Sequence, residues 1–122
     1  MTEAGETIQG GRDRMRVIAE AGRHHVDAGA TYVEHLRVPH LSLGTYAIPA
    51  GAADPQRPHT EDEIYVVVRG RGRLRTPDEA VDVGPGSVVF VPAGEEHRFE
   101  EVTEDLTVLV VFGPAEGTAE AR

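Results

Sequence analysis

The chain has 122 residues with no cysteine and no tryptophan. That is the size of one domain, and it excludes disulfides, thiolate metal sites, iron–sulfur clusters and a cysteine nucleophile. Twelve basic residues, all arginine, face twenty-one acidic ones, and the net charge of -9 repels phosphate backbones and anionic lipid, so neither nucleic acid nor a membrane is an expected partner.

In chain order, residues 1–11 (MTEAGETIQGG) are polar and glycine-rich and are expected to form a flexible arm. They lack the apolar stretch of a secretion signal, and no apolar run approaches the roughly 18 residues of a membrane span, so a cytoplasmic protein is expected. Met15, Ile18, Ala19 and Gly22 fall at helical spacing and predict a short amphipathic helix over residues 14–22, with a strand opening at MRVI as the alternative. From residue 31 the segments are too short for helices: TYVEHLRV, LSLGTYAI, EIYVVVRG, RLRT, AVDV, SVVFVP, EHRFEEV and LTVLVVF, each bounded by glycine or proline signals. These eight predicted strands make the chain all-β, with a single domain over residues 12–114 and a flexible tail over residues 115–122. Residues 64–68 and 107–112 are apolar at nearly every position, as in a strand covered on both faces by another sheet or a partner subunit. A sandwich or closed barrel meets that requirement, and the absence of a fixed repeat disfavours a solenoid or propeller.

Of the six histidines, His24 and His25 sit in a polar loop sequence, while His35 and His40 read as surface positions on a strand and at a turn. His59 and Glu63 differ, because PQRPHTEDEIYVVV delivers a histidine and then a carboxylate at the start of a buried strand. If Glu63, Tyr65 and Val67 share the interior face, a carboxylate stands at the end of an apolar cavity and requires a cation, a proton or several donors. His97 follows the Pro92–Ala93–Gly94 turn and shares a face with Phe99, which points it inward as well. Arg69, Arg71, Arg73 and Arg75 read as an exposed hairpin face, and the acidic residues around His97 as mostly solvated. Gly70 and Gly72 lack the context of a nucleotide loop, and no Ser-His-Asp arrangement is visible.

The two segments resemble the two sequence motifs of the cupin superfamily. The first runs from Gly51 through Arg57-Pro58-His59 and Glu63 to Gly70, the second from Gly86 through Pro92-Ala93-Gly94 and His97 to Glu101, and every spacing fits. The resemblance implies a double-stranded β-helix, the cupin jelly-roll barrel, with a divalent metal near its wider end. Here Arg57 replaces the first motif histidine and Glu101 the motif asparagine. Carried over, the ligands are His59, Glu63 and His97, a set that leaves positions open on the ion. Three readings of Arg57 stand: it clamps a substrate anion, it pairs with Glu63 or Glu101 in place of the metal, or it turns to solvent while Gln56, or else Asp54, completes the coordination.

The resemblance thus implies a metal-dependent cupin acting on a small organic molecule, of dioxygenase, isomerase or lyase type, with iron, manganese, nickel and zinc not distinguished. Arg57, Tyr46, Tyr65 and Phe99 are the expected substrate-facing residues. The alternatives are a non-catalytic ligand-binding or metal-binding module and a metal-free barrel with an Arg57–Glu63 ion pair. A homodimer is expected from the strongly apolar strands.

Overall fold

A computed structural model describes residues 14–18, 32–54 and 58–119, and over these the chain is strand and turn without a helix. Six strands follow in order: β1 (Tyr32–Val38), β2 (Leu41–Ile48), β3 (Asp62–Arg75), β4 (Ala80–Val83), β5 (Val88–Val91) and β6 (Arg98–Gly113). All pairings are antiparallel, in the order β1-β2-β6-β3-β4, with β5 added on β3.

Six strands replace the expected eight because β3 joins EIYVVVRG to RLRT, and β6 joins EHRFEEV to LTVLVVF. The β3–β6 ladder shifts register three times between Val67 and Arg73, so the strands bend without parting. Gly70 makes this possible. Its φ of +92° lies in the left-handed region, and a Cβ there would stand 2.2 Å from the Asp105 carbonyl oxygen. On the facing strand, Glu101 takes a φ of 48°. As a result β3 and β6 run the whole barrel. Their paired ends, residues 62–67 and 108–113, hold β5 on one side and β2 on the other, and the opposite half of β3 carries β4.

Alternation sets the interior. Tyr65, Val67, Leu74, Phe99, Val102, Leu106, Val108, Val110 and Phe112 of the two long strands meet Tyr46, Ile48, Val83 and Val91 in one core. Full burial of each such aliphatic or aromatic side chain stabilises the fold by about 1.5–3 kcal/mol.

Two expectations change. Residues 14–18 are not helical, and Met15 and Val17 are exposed, so the spacing there finds no surface to pack against. Residues 19–22, like residues 1–11, lie outside the described residues. The expected free tail is also anchored over residues 115–119. Ala115 is buried, the Glu116 amide donates to Ser42 Oγ at 2.9 Å, and the Ala119 amide donates to Glu61 Oε2 at 3.0 Å. The arginine stripe is an exposed ladder as read: Arg71 lies 3.5 Å from Glu104, Arg73 3.0 Å from Asp82 and Arg75 2.8 Å from Glu100.

Candidate functional site

The start of β3 and the turn before β6 are stitched together by backbone polarity. The Gly94 amide donates to the His59 carbonyl at 2.7 Å, and the Ala93 amide to Asp62 Oδ1 at 2.8 Å. Gly94 holds a φ of +79°, which the Pro-x-Gly turn needs in order to return the chain at His97. The β3–β5 register places Glu63 opposite Val91, so the carboxylate sits at the foot of this turn.

The centre is a buried acid–imidazole pair. Glu63 is 2 % exposed and His97 3 %, and His97 Nε2 lies 2.8 Å from Glu63 Oε1. The Tyr65 hydroxyl is 2.9 Å from the same nitrogen. On the far side of the ring, Nδ1 is 2.7 Å from the Glu95 carbonyl oxygen. A carbonyl only accepts, so Nδ1 carries a proton and the state of Nε2 is the variable. Neutral His97 accepts from Tyr65; protonated His97 donates to Glu63. Burial pushes the His97 pKa down, but the Glu63 hydrogen bond, the Glu95 carbonyl and the charges of Glu63 and Asp54 outweigh it and raise the value above the ordinary histidine range. Glu63 Oε2, in contrast, is buried with no hydrogen-bond partner among the described residues.

Other ionisable side chains stand close to this pair. His59 is partly exposed, stacks edge-on against Phe112 with ring centroids 4.8 Å apart, and has Nδ1 3.6 Å from Glu116 Oε2. Burial raises the Glu116 pKa, opposed by His59 and assisted by Glu34 and Glu61. Glu61, 1 % exposed, is pushed up by burial, but donors from Thr60, Gly117 and Ala119 more than compensate and lower it. Tyr46 donates its hydroxyl to Asp54 Oδ1, while Asp54 Oδ2 accepts the Phe99 amide at 2.8 Å, so Asp54 fastens the β2–β3 loop to β6.

The structure therefore brings Glu63, His97 and Tyr65 into direct contact, with Phe99 packed edge-on against Tyr65 at 5.0 Å. His59 stands one step back, its ring centroid 6.4 Å from that of His97. Tyr46 is turned to Asp54. Gln56 and Arg57 lie outside the described residues; His97 Nε2 is the partner seen at Glu63 Oε1. Sequence reasoning missed Glu61, Glu116 and Tyr32, and treated Asp54 only as a spare ligand. Alternation along TYVEHLRV offered a signal for Tyr32; the others depend on the 115–119 segment and the loop path.

A divalent ion is what the resemblance implies. Glu63 Oε2 is the kind of atom such an ion takes, but among the described residues no three His, Asp or Glu side chains form a group that could hold one. His97 Nε2 faces Glu63 and Tyr65 instead. The described residues do not by themselves make a metal centre.

Comparison with known proteins agrees with this architecture. The chain is 49 % identical over 85 residues to an uncharacterized protein of Streptomyces coelicolor, covering 70 % of this chain and 81 % of that one. An uncharacterized conserved protein with a double-stranded beta-helix domain from Klebsiella pneumoniae superposes with a TM-score of 0.71 at 14 % identity, covering 88 % of this chain and 95 % of that one. KdgF from Halomonas sp. gives a TM-score of 0.63 at 22 % identity, covering 74 % and 83 %. The cupin domain family matches residues 44–112, a stretch that runs from β2 to the end of β6 and includes both motifs and the Glu63–His97 pair. With that match over more than half its length, the chain belongs to the cupin family.

Proposed function

We propose that this cupin binds a small organic molecule at the Glu63–His97 pair and moves a proton on it, the chemistry of an isomerase or lyase. The observation that carries this reading is the half-used carboxylate: Glu63 Oε1 is paired with His97, while Oε2 is buried without a partner among the described residues. An acceptor in that condition costs about 1–3 kcal/mol and gains a partner when a ligand donor arrives. Glu63 takes the proton, and His97, held in one tautomer by the Glu95 carbonyl and touched by Tyr65, supplies or stores it. The enclosed site strengthens both interactions relative to water.

The test has two arms. Small hydroxy and keto compounds incubated with the protein in D2O should gain deuterium at a carbon next to the oxygen, read by NMR, and Glu63→Gln should abolish the exchange. Unchanged exchange in Glu63→Gln overturns the reading. In parallel, protein purified without chelator should hold well under one metal ion per chain. A full equivalent of iron, manganese, nickel or zinc, lost in both His59→Ala and His97→Ala, would replace this reading with a metal site on His59, Glu63 and His97 completed by Gln56.

A further inference from the structure

The inner wall holds a second unspent group. The Tyr32 hydroxyl is buried without a hydrogen-bond partner among the described residues, as is Glu63 Oε2. Buried polar atoms without partners are uncommon, and a donor and an acceptor left open in one barrel complement each other.

Tyr32 reaches the interior through an absence. Register pairs it with Tyr46, yet its ring folds back across β2, where a Cβ on Gly44 would lie 2.2 Å from the hydroxyl oxygen. Only glycine leaves that room. Gly44 has the inward phase of Tyr46 and is buried; it is paired with Val110, which is paired in turn with Tyr65. Phe112, the register partner of Glu63, meets the Tyr32 ring edge-on at 6.4 Å and the His59 ring at 4.8 Å. The Tyr32 ring and the Glu63 carboxylate are thus both neighbours of Phe112, and the Glu63 charge acts on the Tyr32 hydroxyl. Burial, then the charges of Glu116, Glu34 and Glu63, push the Tyr32 pKa far up, so the oxygen keeps its proton and remains a donor.

We infer that a ligand hydroxyl bridges Tyr32 and Glu63, accepting from the first and donating to the second, and that the ligand is an uncharged polyhydroxy compound of the sugar class. A hydroxyl does both at one atom; a carboxylate cannot donate to Glu63, and an ammonium cannot accept from Tyr32. Arg37 is engaged with Glu34 at 2.8 Å, and the carboxylates of Glu116 and Glu63 near Tyr32 act against an anionic ligand. The inference rests on the reading of Glu63 Oε2 as a ligand acceptor and names what it accepts from.

Calorimetric titration of the full chain with D-ribose, D-xylose and glycerol, and with D-ribonate as the charged counterpart, tests it. At least one neutral probe should bind saturably and ribonate should not. Tyr32→Phe should weaken that binding about tenfold, the effect of one lost hydrogen bond of ordinary strength. The same variant should melt at or above the wild-type temperature, because it deletes a hydroxyl that has no partner among the described residues. Failure of every neutral probe, tighter binding of ribonate, or unchanged affinity in Tyr32→Phe overturns the inference; so does a marked loss of stability in that variant, which would mean the hydroxyl is already satisfied. If Glu63→Gln loses binding while Tyr32→Phe keeps it, the proton-transfer site survives and the bridge does not. If both variants bind as wild type, both fall.

Discussion

Cutting His97 back to alanine would leave the Glu63 carboxylate, 2 % exposed, with neither of its oxygens paired to a cation among the described residues. Breaking one side of such a buried pair costs about 3–5 kcal/mol, so His97→Ala should lose that much in urea unfolding. The pair also fixes a pH dependence. The His97 pKa is raised in the folded chain because, although burial lowers it, Glu63, the Glu95 carbonyl and Asp54 together outweigh burial, with the Tyr65 hydroxyl and His59 the other polar groups nearby. A raised folded-state value means the stabilisation is fully present below the unfolded histidine pKa of about 6.5 and is lost as pH rises through the folded value. The melting temperature of chelator-treated protein, relative to Glu63→Gln, should therefore fall as pH is raised from slightly acid to alkaline. A bound metal reverses the sign, because histidine ligation needs the neutral ring. A relative melting temperature that climbs over this interval would contradict the metal-free pair.

The long strands behave as elements because one glycine lets β3 bend against β6. Gly70→Ala meets two obstacles: a φ of +92°, and a backbone oxygen 2.2 Å from the new Cβ. Gly86→Ala meets only the first, with a φ of +90° and open space around the Cβ. The left-handed conformation alone costs about 1–2 kcal/mol, and forcing an atom into packed backbone adds about 1–3 kcal/mol more. Gly70→Ala should thus destabilise clearly more than Gly86→Ala in thermal unfolding, and equal losses would remove the close approach as the reason for the bend. The same bend explains what the sequence could and could not disclose. Alternation of Glu63, Tyr65 and Val67, and of His97 and Phe99, is a local property, and it correctly placed both candidate side chains in the interior. The boundary between EIYVVVRG and RLRT looked like a strand end because Gly70 and Gly72 usually mark turns, whereas register shifts carry the ladder straight through. Tyr32 and Glu116 were hidden for a different reason. Tyr32 depends on the space over Gly44, and Glu116 on a segment that bonds to Ser42, so both follow from contacts between residues distant in sequence.

At the scale of the whole molecule, charge and apolar surface are separated. The outward row that runs Phe90, Ile64, Val111, Leu43, Leu36 crosses β5, β3, β6, β2 and β1 without a charged residue, and a second row begins Val88, Val66, Leu109. Phe90 is 61 % exposed, Val88 67 % and Ile64 40 %. Contiguous apolar surface of this kind on a small domain marks an interaction site. We propose a second copy of this chain as its occupant: an uncharged face adds no like-charge contact between two bodies of net charge -9, and one face meeting itself closes as a twofold dimer. Sedimentation at micromolar concentration should show a dimer. Phe90→Glu, which sets like charges across the twofold, should give a folded monomer whose far-ultraviolet spectrum matches wild type. Salt separates this arrangement from one held by the arginine ladder of β3. Added salt screens the repulsion between two acidic bodies over roughly 10 Å at 0.1 M, so an apolar interface tightens, while an interface built on Arg71, Arg73 and Arg75 against acidic side chains weakens. A dimer that dissociates as sodium chloride rises, or that persists in Phe90→Glu, places the contact elsewhere.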